Sequence, residues 1–168
     1  RAPMSPGERK SQERKAKLEA AKPQEFERAK GAIKELQEAK DLILKIKKHR
    51  GLKGATGFVR YGGVGGTEAA GADSLLTQLE AKSAFSSLAD MREKSKTGGA
   101  LGQVSNIELE LLKTAKVATQ RKQKTKQVIS NLDDFDSKLS MTISDVKDRW
   151  RRTYDDDFDE LLVGFEEE

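Results

Sequence analysis

The stretch "GLKGATGFVRYGGVGGTEAAGAD", residues 51–73, constrains this chain more than any other feature. Eleven of its 14 glycines fall between Gly51 and Gly102. Each glycine enlarges the unfolded ensemble, so a stable helix cannot run through the stretch. Phe58, Val59 and Tyr61 predict at most a short extended element between turns. The glycines do not make a phosphate cradle. A Walker loop needs Gly-Lys-Ser/Thr opening a helix, and a dinucleotide fold needs G-x-G-x-x-G after a strand; neither pattern is present. Residues 51–72 therefore read as a Gly-rich linker between helical blocks.

The blocks themselves are amphipathic. From Pro23, a residue suited to a first helical turn, Phe26, Ala29, Ile33, Leu36 and Ile43 recur at steps of three and four, and Leu44 and Ile46 widen the stripe. Lys40 falls where the next apolar residue belongs. Cations close the run and Gly51 follows as the expected C-cap, predicting a helix over 23–50. Ahead of it, residues 1–22 are polar, with early proline and glycine, and read as a basic, flexible arm.

Downstream, Asp73 or Ser74 is expected to cap a helix carrying Leu75, Leu76, Leu79, Phe85, Leu88 and Met91. Gly98, Gly99 and Gly102 then turn the chain. Ser105 and Glu108 form an S-x-x-E capping box, with Val104 and Leu109 at its staple positions. This predicts a helical hairpin closed by Leu79, Phe85 and Leu88 against Leu109 and Leu112. A long third helix is expected from Asn106, through the basic, apolar-poor "KVATQRKQKTKQ", to the stripe Val128, Ile129, Leu132, Phe135 and Leu139. Ser144 or Asp145 is expected to cap a last helix bearing Val146, Trp150 and Tyr154. The expected organisation is all-α: the arm, the 23–50 helix, the 51–72 linker, a hairpin and long helix over 73–154, and an acidic tail over 155–168. The tail either docks on a basic or greasy neighbour or stays loose.

Charged residues (36%) outnumber apolar ones (35%), which predicts thin cores and stripes completed by companion copies. Residues 1–60 hold 17 Lys and Arg against 8 Asp and Glu, whereas residues 151–168 hold 2 against 8. A basic front and an acidic tail suit electrostatic contacts at opposite ends. Lys45, Lys47, Lys48, Arg50, Lys53 and Arg60 form one basic cluster, and Arg121, Lys122, Lys124 and Lys126 a second. Arg149, Arg151 and Arg152 form a third. Such clusters neutralise backbone phosphates without reading bases. Aromatic platforms for stacking are limited to Tyr61 and Trp150.

Catalytic signals are absent. No cysteine is present, and the single histidine, His49, stands among lysines with no acid or nucleophile nearby in sequence. Asp155, Asp157 and Asp159 match the first, third and fifth places of an EF-hand, with Glu166 on the twelfth. Glu160, however, occupies the place of the turn glycine. No enzyme, metal or cofactor is expected, and no stretch of the sequence is long and apolar enough to span a bilayer.

The block "LEAKSAFSSLADMREKSKTGGALGQVSNIELELLK" resembles a sequence found in internal, DNA-transfer or DNA-ejection proteins of tailed-bacteriophage virions. Leu88, Met91 and Arg92 match the helix-ending "L-x-x-M-R". Thr97 to Gly102, Val104 and Ser105 match the "T-G-G-A-L-G-x-V-S" turn, and Glu108, Leu109, Leu111 and Leu112 the following helix. The upstream "GTEAAGADSLLTQLEAK" is similar to the family's lead-in, with Glu68 in place of a proline. The likeness covers residues 62–115. It implies a helical protein packaged in the virion, inside the capsid or at the head–tail region, that helps deliver the genome. Partners implied or considered are other copies, portal or tail proteins, phage DNA at the basic faces, and the host envelope during infection. A permanent lining of the tail or junction and a scaffold-like assembly factor are the alternatives.

Overall fold

The computed structural model describes residues 5–57, 67–83, 85–86 and 105–166. Among them the chain forms helices α1 (Pro6–Lys48), α2 (Leu52–Ala55), α3 (Glu68–Lys82), α4 (Ser105–Ala118), α5 (Thr125–Tyr154) and α6 (Phe158–Glu166). The all-α class expected from the stripes is what the chain adopts. The turn glycines Gly98, Gly99 and Gly102, residues Leu88, Met91 and Arg60, and the 58–61 element lie outside the described residues, as do the side chains of Ser105 and Glu108.

Four helices carry the architecture. α1 runs antiparallel to α5, because Lys22 pairs with Asp156, Lys40 with Asp136 and Lys47 with Asp133. It also runs antiparallel to α3, with Glu38 paired to Lys82 and Ser86 donating to Glu35 at 2.7 Å. α4 folds back on α5, so that Lys138 reaches both Glu110 (3.3 Å) and the Thr114 hydroxyl (3.0 Å). The result is an up-down-up-down four-helix bundle. Its buried residues form a single cluster from Phe26 to Phe158, so one copy covers most of its own stripes. Large apolar side chains left exposed among the described residues are Leu44, Leu109, Leu112, Val117, Met141 and Val163.

The expected stripe of α1 is buried from Phe26 through Ile33, Leu36 and Ile43 to Ile46, whereas Leu44 points outward. Lys40 keeps its place in the stripe by bonding Asp136 (2.8 Å) and the Ser140 hydroxyl (2.6 Å) on α5. The expected boundary is corrected: residues 6–22 are helical, continuous with the next helix, and Pro23 lies inside it rather than at its start. Two causes act together. The residues are strong helix formers, and extension from an existing helix avoids the unfavourable nucleus. Ser5 closes the end with a capping box, its hydroxyl accepting from Glu8 N–H while the Glu8 carboxylate accepts from Ser5 N–H at 2.8 Å. At the other end His49, not Gly51, is the C-cap.

α3 begins at Glu68, five residues before the expected Asp73, because Thr67 serves as N-cap; its hydroxyl accepts from Ala70 N–H at 3.2 Å. The linker therefore loses α2 and the start of α3 to helix. The long third helix is corrected too. It breaks at residues 119–124, and α5 then runs unbroken through Ser144 and Asp145. Beyond Ala118 and Thr119 the apolar-poor stretch has little to bury, so it makes the turn, while Leu111, Ala115 and Ala118 share the core with Val128, Leu132 and Phe135. Leu109 and Leu112, expected in the hairpin seam, are exposed, and the smaller alanines let the helices approach.

The tail is neither wholly loose nor free. Asp155 ends α5 in the left-handed conformation, φ 53°. Phe158 then packs on Phe26 and Trp150 at ring-centroid distances of 4.9 and 5.6 Å.

Candidate nucleic-acid interface

Two of the basic clusters, separated by about 70 residues of sequence, meet at one end of the bundle. The meeting begins with the end of α1, where the last-turn cations Lys45, Lys47 and Lys48 face the negative pole of the helix dipole. His49 then holds the turn, its Nδ1 accepting from Gly51 N–H at 3.0 Å. Gly51 is required by proximity: a Cβ there would lie 1.8 Å from the Glu68 carbonyl oxygen, so α3 starts directly against this turn. Gly71, in the first turn of α3, leaves room for the His49 ring, which lies 3.1 Å from where its Cβ would be.

The second cluster is tied on by one backbone and one hydroxyl contact. Gly57, at φ +97°, donates its N–H to the Arg121 carbonyl at 2.8 Å. The Thr56 hydroxyl donates to Leu52 C=O at 2.8 Å, so the 2.9 Å contact between the Thr56 and Thr125 hydroxyls must use the Thr125 proton. These bonds fix the 119–124 turn beside α2.

The sequence clusters thus divide. Lys45, Lys48, Arg50, Lys53, Lys122, Lys124 and Lys126 are exposed around this end. Lys47 is held by Asp133. Arg121 is turned inward and clamps α3: its Nε pairs with Asp73, and its Nη2 reaches the Thr77 hydroxyl at 2.6 Å and the Asp73 carbonyl at 3.3 Å. Glu80 lies 3.6 Å from the same guanidinium. An open cleft between Lys48, His49, Arg50, Thr67, Glu68 and Gly71 carries the local carboxylate, Glu68. The third cluster belongs to the other end, where Arg149 pairs with Asp145 and Arg151 with Asp157, each at 2.8 Å.

Chemically the basic end offers fixed positive charge. The His49 ring accepts from a backbone N–H and lies beside Gly71, and among the described residues no carboxylate is hydrogen-bonded to it. Among the described residues no group of His, Asp or Glu is arranged to hold a metal. The EF-hand-like aspartates go to separate partners: Asp157 caps α6 by accepting from Asp159 N–H (2.9 Å), and Asp159 pairs with Lys147 at 2.7 Å. The Asp159 N–H and the Arg151 guanidinium hold the Asp157 carboxyl below its usual range. Sequence reasoning missed the Arg121 clamp, for which no local pattern exists, because its partners lie 48 residues away. The structural use of Lys40 had a signal, its place in an apolar stripe.

Among the described residues no helix is long and apolar enough to cross a membrane. Compared with protein-family models, with curated proteins and with solved structures, the chain has no match in any of the three.

Proposed function

We propose that this chain is a structural component of a tailed-bacteriophage virion, an internal protein that takes part in delivering the genome into the host. The observation that carries the reading is the sequence "T-G-G-A-L-G-x-V-S" of residues 97–105, which resembles a motif of internal virion proteins. The matched positions are mostly glycines and leucines, so the reading assigns a place and a process and no catalysis. The cationic end of the bundle supports it physically. Seven exposed cations at one end suit the phosphates of packaged or passing DNA, through contacts indifferent to base sequence. Portal proteins, tail proteins and further copies of the chain are the protein partners of this proposal.

The test compares particles before and after genome release by quantitative mass spectrometry. An ejected protein is present in full particles and lost from emptied ones. Equal copy number in both supports a permanent lining instead, and absence from mature particles supports an assembly factor.

A further inference from the structure

The first half of α1 carries a second charged surface that the sequence clusters did not include. Residues 5–17 are all exposed, and the bundle's contacts with α1 begin near Lys22. The helix from Pro6 to Lys22 therefore projects by about 25 Å at 1.5 Å per residue. Its faces differ. Glu8, Lys15, Glu19 and Lys22 follow one another at steps of seven, four and three, and the next step of four reaches buried Phe26. They continue the bundle-facing stripe and nearly balance in charge. Lys10, Arg14 and Lys17, at steps of four and three, share the opposite face, with Glu13 the carboxylate at its edge. None of these three cations makes an ion pair within the described residues, whereas Lys22, Lys40 and Lys47 farther along α1 all do.

We infer that the projecting half of α1 is a second contact for duplex DNA, laying Lys10, Arg14 and Lys17 along the phosphates; the inference rests on the nucleic-acid contact within the function proposed above. Charge complementarity selects this occupant. A helix of 10–12 Å diameter fits a major groove about 12 Å wide, and 25 Å of helix spans roughly seven base pairs. A membrane surface fits worse, since Leu18 is the sole large apolar residue between Ser5 and Glu25 and no greasy face exists to enter lipid. The aspartates around the start of α6 in a second copy fit worse as well, because Asp156, Asp157 and Asp159 are already paired with Lys22, Arg151 and Lys147.

The experiment measures binding of the full chain to a 20-base-pair duplex by fluorescence anisotropy across a salt series. The variants are Lys10→Gln/Arg14→Gln/Lys17→Gln and, as a charge-keeping control, Lys10→Arg/Lys17→Arg. The triple variant is expected to bind roughly 100-fold more weakly near 0.1 M salt, and its salt slope to fall by roughly 2–3, on any duplex sequence. The control is expected to keep wild-type affinity, and both variants to keep wild-type helicity. If the wild type binds and the triple variant matches it, the inference about α1 fails while DNA binding by the bundle end stands. If the wild type does not bind duplex at all, both fail. Loss of binding to anionic phospholipid vesicles with unchanged duplex affinity overturns the inference in favour of a membrane contact.

Discussion

Arg121 and Lys122 are neighbours in sequence, and only Lys122 is exposed. The Arg121 guanidinium holds the 119–124 turn to α3 through Asp73, Thr77 and Glu80, so its charge is largely neutralised within the chain. Arg121→Ala is therefore expected to lower stability by about 1–2 kcal/mol, the range for partly exposed charge-assisted hydrogen bonds. Thermal or urea unfolding measures the loss. Its effect on DNA affinity is expected to be smaller than that of Lys122→Gln/Lys124→Gln. A second residue gives a pH signature. The Tyr154 phenol donates to Glu25 at 2.7 Å, and burial together with that carboxylate raises its pKa above the ordinary 10. The folded state thus keeps a proton that the unfolded chain releases, so stability is unaffected below about pH 10 and falls as pH rises beyond it. Tyr154→Phe should flatten that alkaline fall relative to the wild type in unfolding curves taken from pH 8.5 to 11.5. An equal slope in both proteins contradicts the assignment.

Elements were legible where burial is periodic. The stripe from Phe26 to Ile46, and that from Val128 to Leu139, predicted helices because one face of each had to leave water. Boundaries were less legible, since tertiary context decides them. The 119–124 turn contains neither glycine nor proline; it forms because packing α4 on α5 buries more than a straight helix would. Pro23 sent the opposite false signal. It removes the N–H that would bond the Glu19 carbonyl, yet the helix continues through it because α1 is anchored downstream by its buried stripe. The junction between arm and bundle is then the weakest point of α1. Pro23→Ala is expected to slow hydrogen exchange of the amides in residues 8–22 by about tenfold or more, given the cost of an interior proline. Unchanged exchange there contradicts a proline-weakened junction. The candidate interface was half legible: composition marked its cations, but only the fold brings residues 45–53 beside 122–126.

Across the whole molecule, charge is arranged along α1. Toward its C-terminal half, Lys40 and Lys47 meet carboxylates of α5, and Glu38 meets Lys82 of α3. At the α6 end the aspartates are matched by Lys22, Lys147 and Arg151. Among the described residues, exposed cations with no ion pair stand together at the end built from α2 and the 119–124 turn, and on the outer face of the projecting helix. Such an arrangement gives a single copy its own core and, under the proposed function, leaves these cations for a polyanion. The most direct measurement is the salt dependence of duplex binding for the wild type, Lys48→Gln/Lys53→Gln, Lys122→Gln/Lys124→Gln and the combined variant. Each pair is expected to lower the slope of log affinity against log salt by about 2, and the combination by about 4, since both clusters contact one backbone. A wild type with no salt-dependent affinity, or a slope that responds to one pair alone, contradicts a joint interface.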